Sequence, residues 1–336
     1  MNQSNPAPII DLIEAFRRSK AMFAAVELGV FEQLAGDPAG VATLAPALTA
    51  DADALERLLD TCVALGLLLK RDGLYSNTAL AARYLLRSSP ETLIGYILYS
   101  NQVLHRMWGN LEDAVREGTH RWPQTFGLDG PIFSHFFRTD EEMRTFVLGM
   151  HGFGRISSPK VAAAFDLGRF NTIADLGGAT GHLAIAACER YPKLRGIVFD
   201  LPRVIPVARE KIADSPARDR IECVAGDFFS DPLPDADLYA LGRILHDWSE
   251  EKIGHLLRTI ADRLQPGGGL LLAEKLLDPD KSGPLSAHLQ SLNMLVCTEG
   301  KERTLEEYRA LLLEAGFSKV DGKRTGTPLD AVLAVK

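Results

Sequence analysis

Short apolar runs alternate with longer amphipathic stretches over the second half of the chain. Short runs bounded by turn residues are typical of strands in a buried sheet, and the stretches between them have helical spacing. Strands are predicted near residues 172–176, 195–200, 221–226, 237–242, 269–275, 317–321 and 329–335. This alternation predicts a doubly wound, mostly parallel α/β sheet, and the short connection between the last two strands predicts one antiparallel edge strand.

The first part of the chain predicts helices that are unusually apolar for a solvated surface. Residues 8–35 have a helical pattern with apolar side chains on almost every face, so this helix is either buried or packs against a partner chain. Two short helices over 41–69 and a hairpin over 70–78, with an Asp-Gly turn, give a winged-helix-like order. Such a unit is expected either to bind DNA or to form dimers.

Charge favours the dimerisation hypothesis. The helix that would enter a DNA groove carries Asp51, Asp53, Glu56 and Asp60 against a single Arg57, whereas phosphate contacts need the opposite sign. The formal net charge of −7 also argues against general affinity for nucleic acid or an anionic membrane. We therefore expect no nucleic-acid partner and no membrane partner.

The predicted domains are 1–95 for dimerisation, 96–165 as a helical linker and substrate lid, and 166–336 as the sheet domain. The middle segment is rich in aromatic residues, which are expected either in its core or in a lid over an aromatic substrate. They are Trp108, Trp122, Phe126, Phe133, Phe136, Phe137, Phe146 and Phe153. The histidines of this segment have no metal-ligand spacing and are expected to be solvated or structural.

Composition is that of an ordinary globular protein. The 336 residues are 46% hydrophobic and 24% charged, enough for one large domain and a smaller one. The four cysteines are scattered, which predicts reduced thiols and a cytoplasmic location. The N-terminal stretch MNQSNPAP lacks a signal-peptide pattern, and no apolar run approaches the ~18–20 residues that span a bilayer.

The candidate chemistry begins at residues 172–181, TIADLGGATG, where a predicted strand ends in a glycine-rich turn before a helix. Such a turn alone is a weak signal, because purely structural strand–helix units contain it too. Asp175, Asp200 and Asp227 lie at or just after the ends of three successive strands, so their carboxylates should line one crevice. Three carboxylates suit a cationic ligand with a ribose diol and an adenine amine, which predicts S-adenosylmethionine.

A second group of polar residues surrounds the same predicted edge of the sheet. His246 follows the fourth strand, where it is expected either to act as a general base or to brace the loop. Glu274 ends the fifth strand and Glu302 precedes a helix, and either carboxylate could hold the second ring nitrogen of the imidazole. Both glutamates could instead be solvated, and Glu302 could pair with Lys301 or Arg303.

Asn293 lies on a predicted helix that is otherwise apolar. Its amide is expected either to orient a substrate or to satisfy backbone groups.

Taken together, these motifs resemble the S-adenosylmethionine-dependent O-methyltransferases of the caffeate, flavonoid and hydroxyindole type. The likeness covers almost the whole chain and is greatest to the acetylserotonin branch and its bacterial relatives. The matching stretches are LGVFEQLA at 28–35, AVREG at 114–118, DLGGATG at 175–181, FDLP at 199–202, GDFFSDPLPDADLY at 226–239, RILHDW at 243–248, PGGGLLL at 266–272 and SLNMLVCTEGKERT at 291–304.

The resemblance implies a Rossmann-like methyltransferase sheet, an all-α winged-helix-like dimerisation domain, S-adenosylmethionine as cofactor and no metal. In that family pattern Asp200 would bind the ribose, and Asp227 with Phe228 would hold the adenine. The full set of implied cofactor contacts is Asp175, Gly177, Asp200, Leu201, Gly226, Asp227, Phe228 and Arg243.

The resemblance also implies His246 as the base, flanked by Glu274 and Glu302. It further implies a small aromatic acceptor, and an interlocked homodimer, formed by the N-terminal domain, that closes the pocket of each partner. The implied acceptor contacts are Asp247, Asn293, Met150 and Trp108. The chain departs from the family pattern at Ala179, Phe137 and Gly154, where glycine, tyrosine and tryptophan are expected.

The predicted function is methyl transfer from S-adenosylmethionine to a phenolic or hydroxyindole-like hydroxyl. Because one fold supports several chemistries, N- or S-methylation and non-methylating reactions are alternatives. A ligand-sensing winged-helix regulator is a further alternative, disfavoured by the acidic helix.

Overall fold

The N-terminal elements lie in the first of two units, Met1–Val103 and Leu104–Lys336, in a computed structural model that describes residues 5–336. The three-domain division made from the sequence stays a prediction. The elements of the first unit are α1 Ala7–Glu27, α2 Val30–Gln33, α3 Val41–Ala47, α4 Ala52–Ala64, β1 Leu68–Arg71, β2 Leu74–Asn77, α5 Ala79–Tyr84 and α6 Ile94–Tyr99.

The single helix expected over residues 8–35 is two helices. Gly29 adopts a φ of 82°, a left-handed conformation that ends α1 and starts α2. The Asp51 side chain accepts from Ala54 N and caps α4, while β1 and β2 form the expected antiparallel hairpin.

The outer face of α1 is apolar and exposed. Its large side chains are between 50 and 70% exposed, although a cluster that includes Ala25, Phe31 and Leu59 forms a buried core inside the same unit. The exposed side chains are Ile9, Ile10, Leu12, Ile13 and Phe16. Monomeric proteins rarely leave such a stripe in water.

The second unit begins within a π-helical turn, Ser100–Leu104, and continues through short helices into the sheet domain. Its helices are α7 His105–Trp108, α8 Leu111–Glu117, α9 Trp122–Phe126, α10 Ile132–Phe136, α11 Asp140–Ala164, α12 His182–Arg190, α13 Ile205–Ala213, α14 Glu250–Arg263, α15 Leu285–Cys297 and α16 Leu305–Glu314. Its strands are β3 Thr172–Leu176, β4 Arg195–Asp200, β5 Ile221–Ala225, β6 Leu238–Gly242, β7 Gly269–Glu274, β8 Leu276–Leu277, β9 Arg303–Thr304, β10 Lys319–Lys323 and β11 Asp330–Val335.

The main sheet confirms the predicted topology. Its strand order is β10-β11-β7-β6-β3-β4-β5, and β3 to β7 are parallel. At one edge β11 is antiparallel to both of its neighbours, β7 and the edge strand β10. After β5 the chain returns beside β3 as β6, so the strand order reverses between these two central strands. Ligands bind above the carboxyl ends of strands at such a switch point, which places the candidate site there.

Among residues 5–336, no helix has both the length and the apolar character needed to cross a membrane.

Candidate active site

The glycine-rich loop after β3 is held by the carboxylate of Asp200. Asp200 Oδ2 accepts from Ala179 N at 2.7 Å, and Oδ1 accepts from Leu201 N at 2.7 Å. Burial raises the pKa of Asp200 to about 6, although these two backbone donors oppose the increase. Gly177 has a φ of 66°, and a Cβ there would lie 2.6 Å from Ile244 Cδ1. The loop is therefore packed directly against the segment that follows β6.

Asp175 supports the loop from beneath. Its side chain is buried, and Oδ2 accepts from Ala184 N at 3.3 Å in the first turn of α12. Burial raises the pKa of this carboxyl to about 7.

The turn after β5 approaches the glycine loop. A Cβ on Gly177 would lie 3.2 Å from Phe228 Cε1, so the Phe228 ring lies beside that loop. Asp227 Oδ1 accepts from Phe229 N at 2.9 Å, which fixes the turn, and Gly226 leaves room for the Phe199 ring. The structure thus brings the predicted adenine residues to the same crevice.

Two histidines tie α11 to this loop: His151, one of those expected to be solvated or structural, and His182, for which the sequence predicts no role. His151 Nδ1 lies 2.7 Å from Thr180 Oγ1, and His182 Nδ1 lies 2.9 Å from Ser158 Oγ. Burial lowers the pKa of His151 to about 4 and that of His182 to about 3, so both rings are neutral at pH 7. The only sequence signal was the position of His182 directly after the last glycine of the loop.

The His182 ring occupies the space above Gly154. A Cβ at Gly154 would lie 2.3 Å from His182 Cγ and Cδ2. This contact gives a physical reason for the departure from the family pattern at residue 154, since a large side chain there could not coexist with this imidazole.

His246 lies in a 3₁₀ turn, Leu245–Asp247, directly after β6. The imidazole is 3% exposed, and its Nδ1 lies 2.7 Å from Glu302 Oε1 and 3.5 Å from Glu274 Oε2. Because a carboxylate only accepts hydrogen bonds, Nδ1 is the nitrogen that donates, and Nε2 is left to exchange a proton. Nε2 lies 3.7 Å from Asp247 Oδ1.

Burial and charge act in opposite directions on these groups. Burial alone would lower the pKa of His246, but the carboxylates of Glu274, Glu302 and Asp247 raise it to about 9. Burial raises the pKa of Glu274 to about 7 and that of Asp247 to about 6, while His246 lowers both. The imidazole is therefore a stronger base than a free histidine.

His246, Glu274 and Glu302 also offer ligand atoms within 4.8 Å of one another, the single such group among residues 5–336. Two ligands of a tetrahedral zinc ion lie ~3.3 Å apart when the bonds are about 2.0 Å. The contact of 2.7 Å between His246 Nδ1 and Glu302 is shorter and suits a shared proton better than a metal ion.

The predicted acceptor residues lie on four elements of the second unit: α7, α11, the 3₁₀ turn after β6, and α15. Trp108 Nε1 donates to Asn293 Oδ1 at 2.9 Å. The amide oxygen of Asn293 is therefore already an acceptor for Trp108, and its NH₂ group is available to donate to another group. Met150 is half-buried on α11, one residue before His151. Trp122 Nε1 donates to Cys297 O at 2.9 Å and joins α9 to the end of α15.

Arg243 adopts a backbone conformation that is uncommon outside glycine. Its φ is 59°, and its N–H donates to Ala273 O at 3.0 Å. The guanidinium carbon lies 5.5 Å from the centroid of the Phe153 ring, and the buried Nη1 has no hydrogen-bond partner within the described chain. Strain and an unsatisfied donor are typical of a functional position.

Comparison with known families covers both units. The model of the O-methyltransferase domain matches residues 108–318, and that of the O-methyltransferase dimerisation domain matches residues 10–87.

Individual relatives match over nearly their whole length. Acetylserotonin O-methyltransferase of Bos taurus is 45% identical over 328 residues, which are 96% of this chain and 95% of the bovine chain. The crystal structure of human N-acetylserotonin methyltransferase with SAM has a TM-score of 0.94 at 41% identity, covering 100% of this chain and 99% of that one. Mitomycin 7-O-methyltransferase has a TM-score of 0.85 at 29% identity, covering 98% and 97%.

Proposed function

Because the chain belongs to the S-adenosylmethionine-dependent O-methyltransferases, we propose that it methylates a phenol or hydroxyindole, with His246 as the general base. The observation that carries the proposal is the buried contact of 2.7 Å between His246 Nδ1 and Glu302 Oε1. It leaves Nε2 as the nitrogen that takes the hydroxyl proton of the acceptor.

The residues at the switch point fit the cofactor. Carboxylates suit its ammonium, ribose diol and positive charge, and the unpartnered Nη1 of Arg243 suits its carboxylate. Bound S-adenosylmethionine supplies an electrophilic methyl group on sulfur. Asp200 would hold the ribose, and Asp227 with Phe228 the adenine. The remaining residues proposed to line or support this site are Asp175, Gly177, Leu201 and Gly226.

His246 is matched to a phenolic proton. A free phenol has a pKa of ~10, and that of His246 is raised to about 9. The raised pKa of His246 therefore makes the transfer of a phenolic proton to this ring less unfavourable than transfer to a free imidazole. General-base catalysis of this kind contributes ~10²–10⁴-fold. Glu302 orients the ring, and Glu274 supports the loop that carries it.

Asn293 would orient the acceptor. Because Trp108 occupies its amide oxygen, Asn293 would present its NH₂ group to an oxygen or ring nitrogen of the acceptor. Asp247, beside His246 Nε2, and Met150 on α11 complete the proposed acceptor contacts. The bovine and human relatives are named for acetylserotonin, a hydroxyindole with an amide, and that chemistry suits such a donor.

We further propose a homodimer through α1 and a cytoplasmic location. The exposed apolar face of α1 lies within the stretch that matches the dimerisation model, and a second copy would cover it. As in the family pattern, each subunit would close the pocket of its partner. All four cysteines are free thiols, which suits a reducing compartment.

A labelled-methyl acceptor screen tests the function. The chain is incubated with methyl-labelled S-adenosylmethionine and matched phenols, hydroxyindoles, amines and thiols. We expect label on oxygen, with an equal amount of S-adenosylhomocysteine. Label confined to nitrogen or sulfur, or cofactor turnover without transfer, would overturn the assignment of a hydroxyl acceptor.

A further inference from the structure

Arg303 is a fully charged side chain buried beside the catalytic candidates. It is 1% exposed, it forms β9 with Thr304, and it directly follows Glu302. A guanidinium does not lose its proton in a protein, so its burial has a large desolvation cost. The contacts of the guanidinium must therefore offset this desolvation cost.

The guanidinium joins two segments that are distant in the chain. Arg303 Nη1 donates to Leu245 O at 3.4 Å and to Lys301 O at 3.0 Å. Leu245 precedes His246, and Lys301 precedes Glu302. The same nitrogen, Nη1, therefore binds the carbonyl of the residue before His246 and the carbonyl of the residue before Glu302.

Two further contacts hold the same segments together. Glu299 N donates to Asp247 O at 3.1 Å. Gly300 packs so closely that a Cβ there would lie 2.2 Å from His246 O. Residues 299–303 thus lie along residues 245–247, with the bond between the side chains of His246 and Glu302 at the centre of the contact.

Several titratable or charged groups surround Arg303. Its Nη2 lies 3.6 Å from the exposed Glu250 Oε1, and its Cζ lies 6.0 Å from the centroid of the buried Tyr308 ring. The others come from neighbouring elements: His246 and Asp247 after β6, Glu274 on β7, and Lys301 and Glu302 before β9. Arg303 adds a positive charge to a region with three buried or mostly buried carboxylates.

We propose that Arg303 is a positioning residue whose guanidinium fixes the register of the Leu245–Asp247 turn against residues 299–303. That register keeps the carboxylate of Glu302 on Nδ1 and directs Nε2 towards the acceptor. The effect on turnover rests on the proposed role of His246 as base, whereas the effect on the Nδ1 contact does not.

The experiment compares Arg303→Lys and Arg303→Met with the wild-type chain. Lysine keeps the charge but lacks the planar fork, and methionine keeps only the apolar stem. Both should lower kcat by about 10- to 100-fold, because small displacements of catalytic groups cost that much, with unchanged affinity for S-adenosylmethionine. The far-downfield proton resonance of Nδ1 bonded to Glu302 should shift or disappear in both variants.

Arg220 supplies a matched control. Its guanidinium also donates to backbone carbonyls, those of Cys188, Tyr191 and Leu194, but it precedes β5 at the end of the sheet opposite the site. Arg220→Lys and Arg220→Met should lower the melting temperature without changing the proton resonance or the pH profile of kcat.

A second substitution, Gly300→Ala, disturbs the packing of the Leu245–Asp247 turn against residues 299–303 and leaves the Arg303 side chain unchanged. Gly300→Ala forces a methyl group against His246 O, so it should also lower kcat and shift the Nδ1 resonance. If the Arg303 variants do not fold, Gly300→Ala still tests the proposed register.

Retention of the wild-type resonance and kcat in folded Arg303→Lys, Arg303→Met or Gly300→Ala would overturn the proposal. If the wild-type chain transferred no methyl group to a hydroxyl, the proposed function would fail, but the resonance would still test the positioning role.

Discussion

His246 Nδ1 lies 2.7 Å from Glu302 Oε1, although the two residues are 56 positions apart in the chain. Glu274 makes a longer contact of 3.5 Å to the same nitrogen. The other oxygen of Glu274, Oε1, accepts from Ile244 N at 3.0 Å and Leu245 N at 2.9 Å. The two glutamates therefore have different tasks: Glu302 fixes the imidazole, and Glu274 fixes the backbone that carries it.

This division predicts unequal effects of removing each charge. Glu302→Gln should lower kcat more than Glu274→Gln, because only Glu302 directly sets which ring nitrogen carries the proton. Both losses should be smaller than that of His246→Ala. Each substitution removes a carboxylate that raises the pKa of His246, so the rise of kcat with pH should move to lower pH. Profiles of kcat against pH measure both effects, and a larger loss in Glu274→Gln would contradict the division.

Asp200→Ala should weaken cofactor binding much more than it alters the fold. The loss of charge-assisted hydrogen bonds to the ribose costs ~1.5–3 kcal/mol, roughly ten- to a hundredfold in affinity. The Ala179 N–H would also lose its anchor. Calorimetric titration with S-adenosylmethionine measures the change, with a melting curve as the check on folding. Wild-type affinity in a folded Asp200→Ala chain would refute the assignment.

Gly154→Ala should destabilise the chain. Alanine normally stabilises a helix interior by about 0.5–1 kcal/mol over glycine, but here its Cβ would overlap the His182 ring. We expect a net loss of about 1–3 kcal/mol in the free energy of unfolding, which His182→Ala in the same chain should largely relieve. Gly254→Ala on α14 is the control, because the nearest atom to its Cβ belongs to the flexible Arg258 side chain. If urea denaturation gave Gly154→Ala and Gly254→Ala the same change in the free energy of unfolding, the close packing of His182 against residue 154 would be contradicted.

Charged substitutions on the outer face of α1 should separate the proposed dimer. Phe16→Glu combined with Ile13→Glu places two carboxylates in an apolar interface without disturbing the core of the first unit. Light scattering should give about twice the chain mass of 36.7 kDa for the wild type and a value near 36.7 kDa for the variant. A monomeric wild type at micromolar concentration would argue against the dimer.

The strands could be predicted closely from the sequence because their signal is local. A buried parallel strand is a short apolar run between turn residues, and both 172–176 and 195–200 match the structure at each end. The sequence does not predict the break at Gly29, because one glycine inside an apolar helical pattern is compatible with a continuous helix.

The partners inside the site were harder to predict, because they are remote in the chain. The sequence allows Glu302 to pair with Lys301 or Arg303, but in the structure both of these cations approach Glu250. The fit of His182 over Gly154 involves two positions with no shared periodicity, so no pattern along the chain could reveal it.

The pH dependence of the wild-type enzyme follows from the raised pKa of His246. A general base must be neutral, and an imidazolium with a pKa of about 9 is mostly protonated at pH 7. The value of kcat/KM should therefore rise roughly tenfold per pH unit from neutrality and level off near pH 9. A profile that levels off near pH 6.5 would show that the carboxylates do not raise the basicity of this ring.

The role of His246 as base is tested most directly by measuring kcat against pH for His246→Ala and the wild type, with cofactor affinity and melting curves for both. If His246 is the base, the variant should keep wild-type affinity for S-adenosylmethionine and lose about 10²–10⁴-fold in kcat near neutral pH. Below pH 9 the wild type and the variant should both gain about tenfold per pH unit, so the loss should stay nearly constant there. Above pH 9 the wild type levels off and the loss should shrink, because solvent still supplies more of the phenolate. A His246→Ala chain that is fully active but less stable, or one whose loss does not shrink above pH 9, would contradict the role of His246 as base.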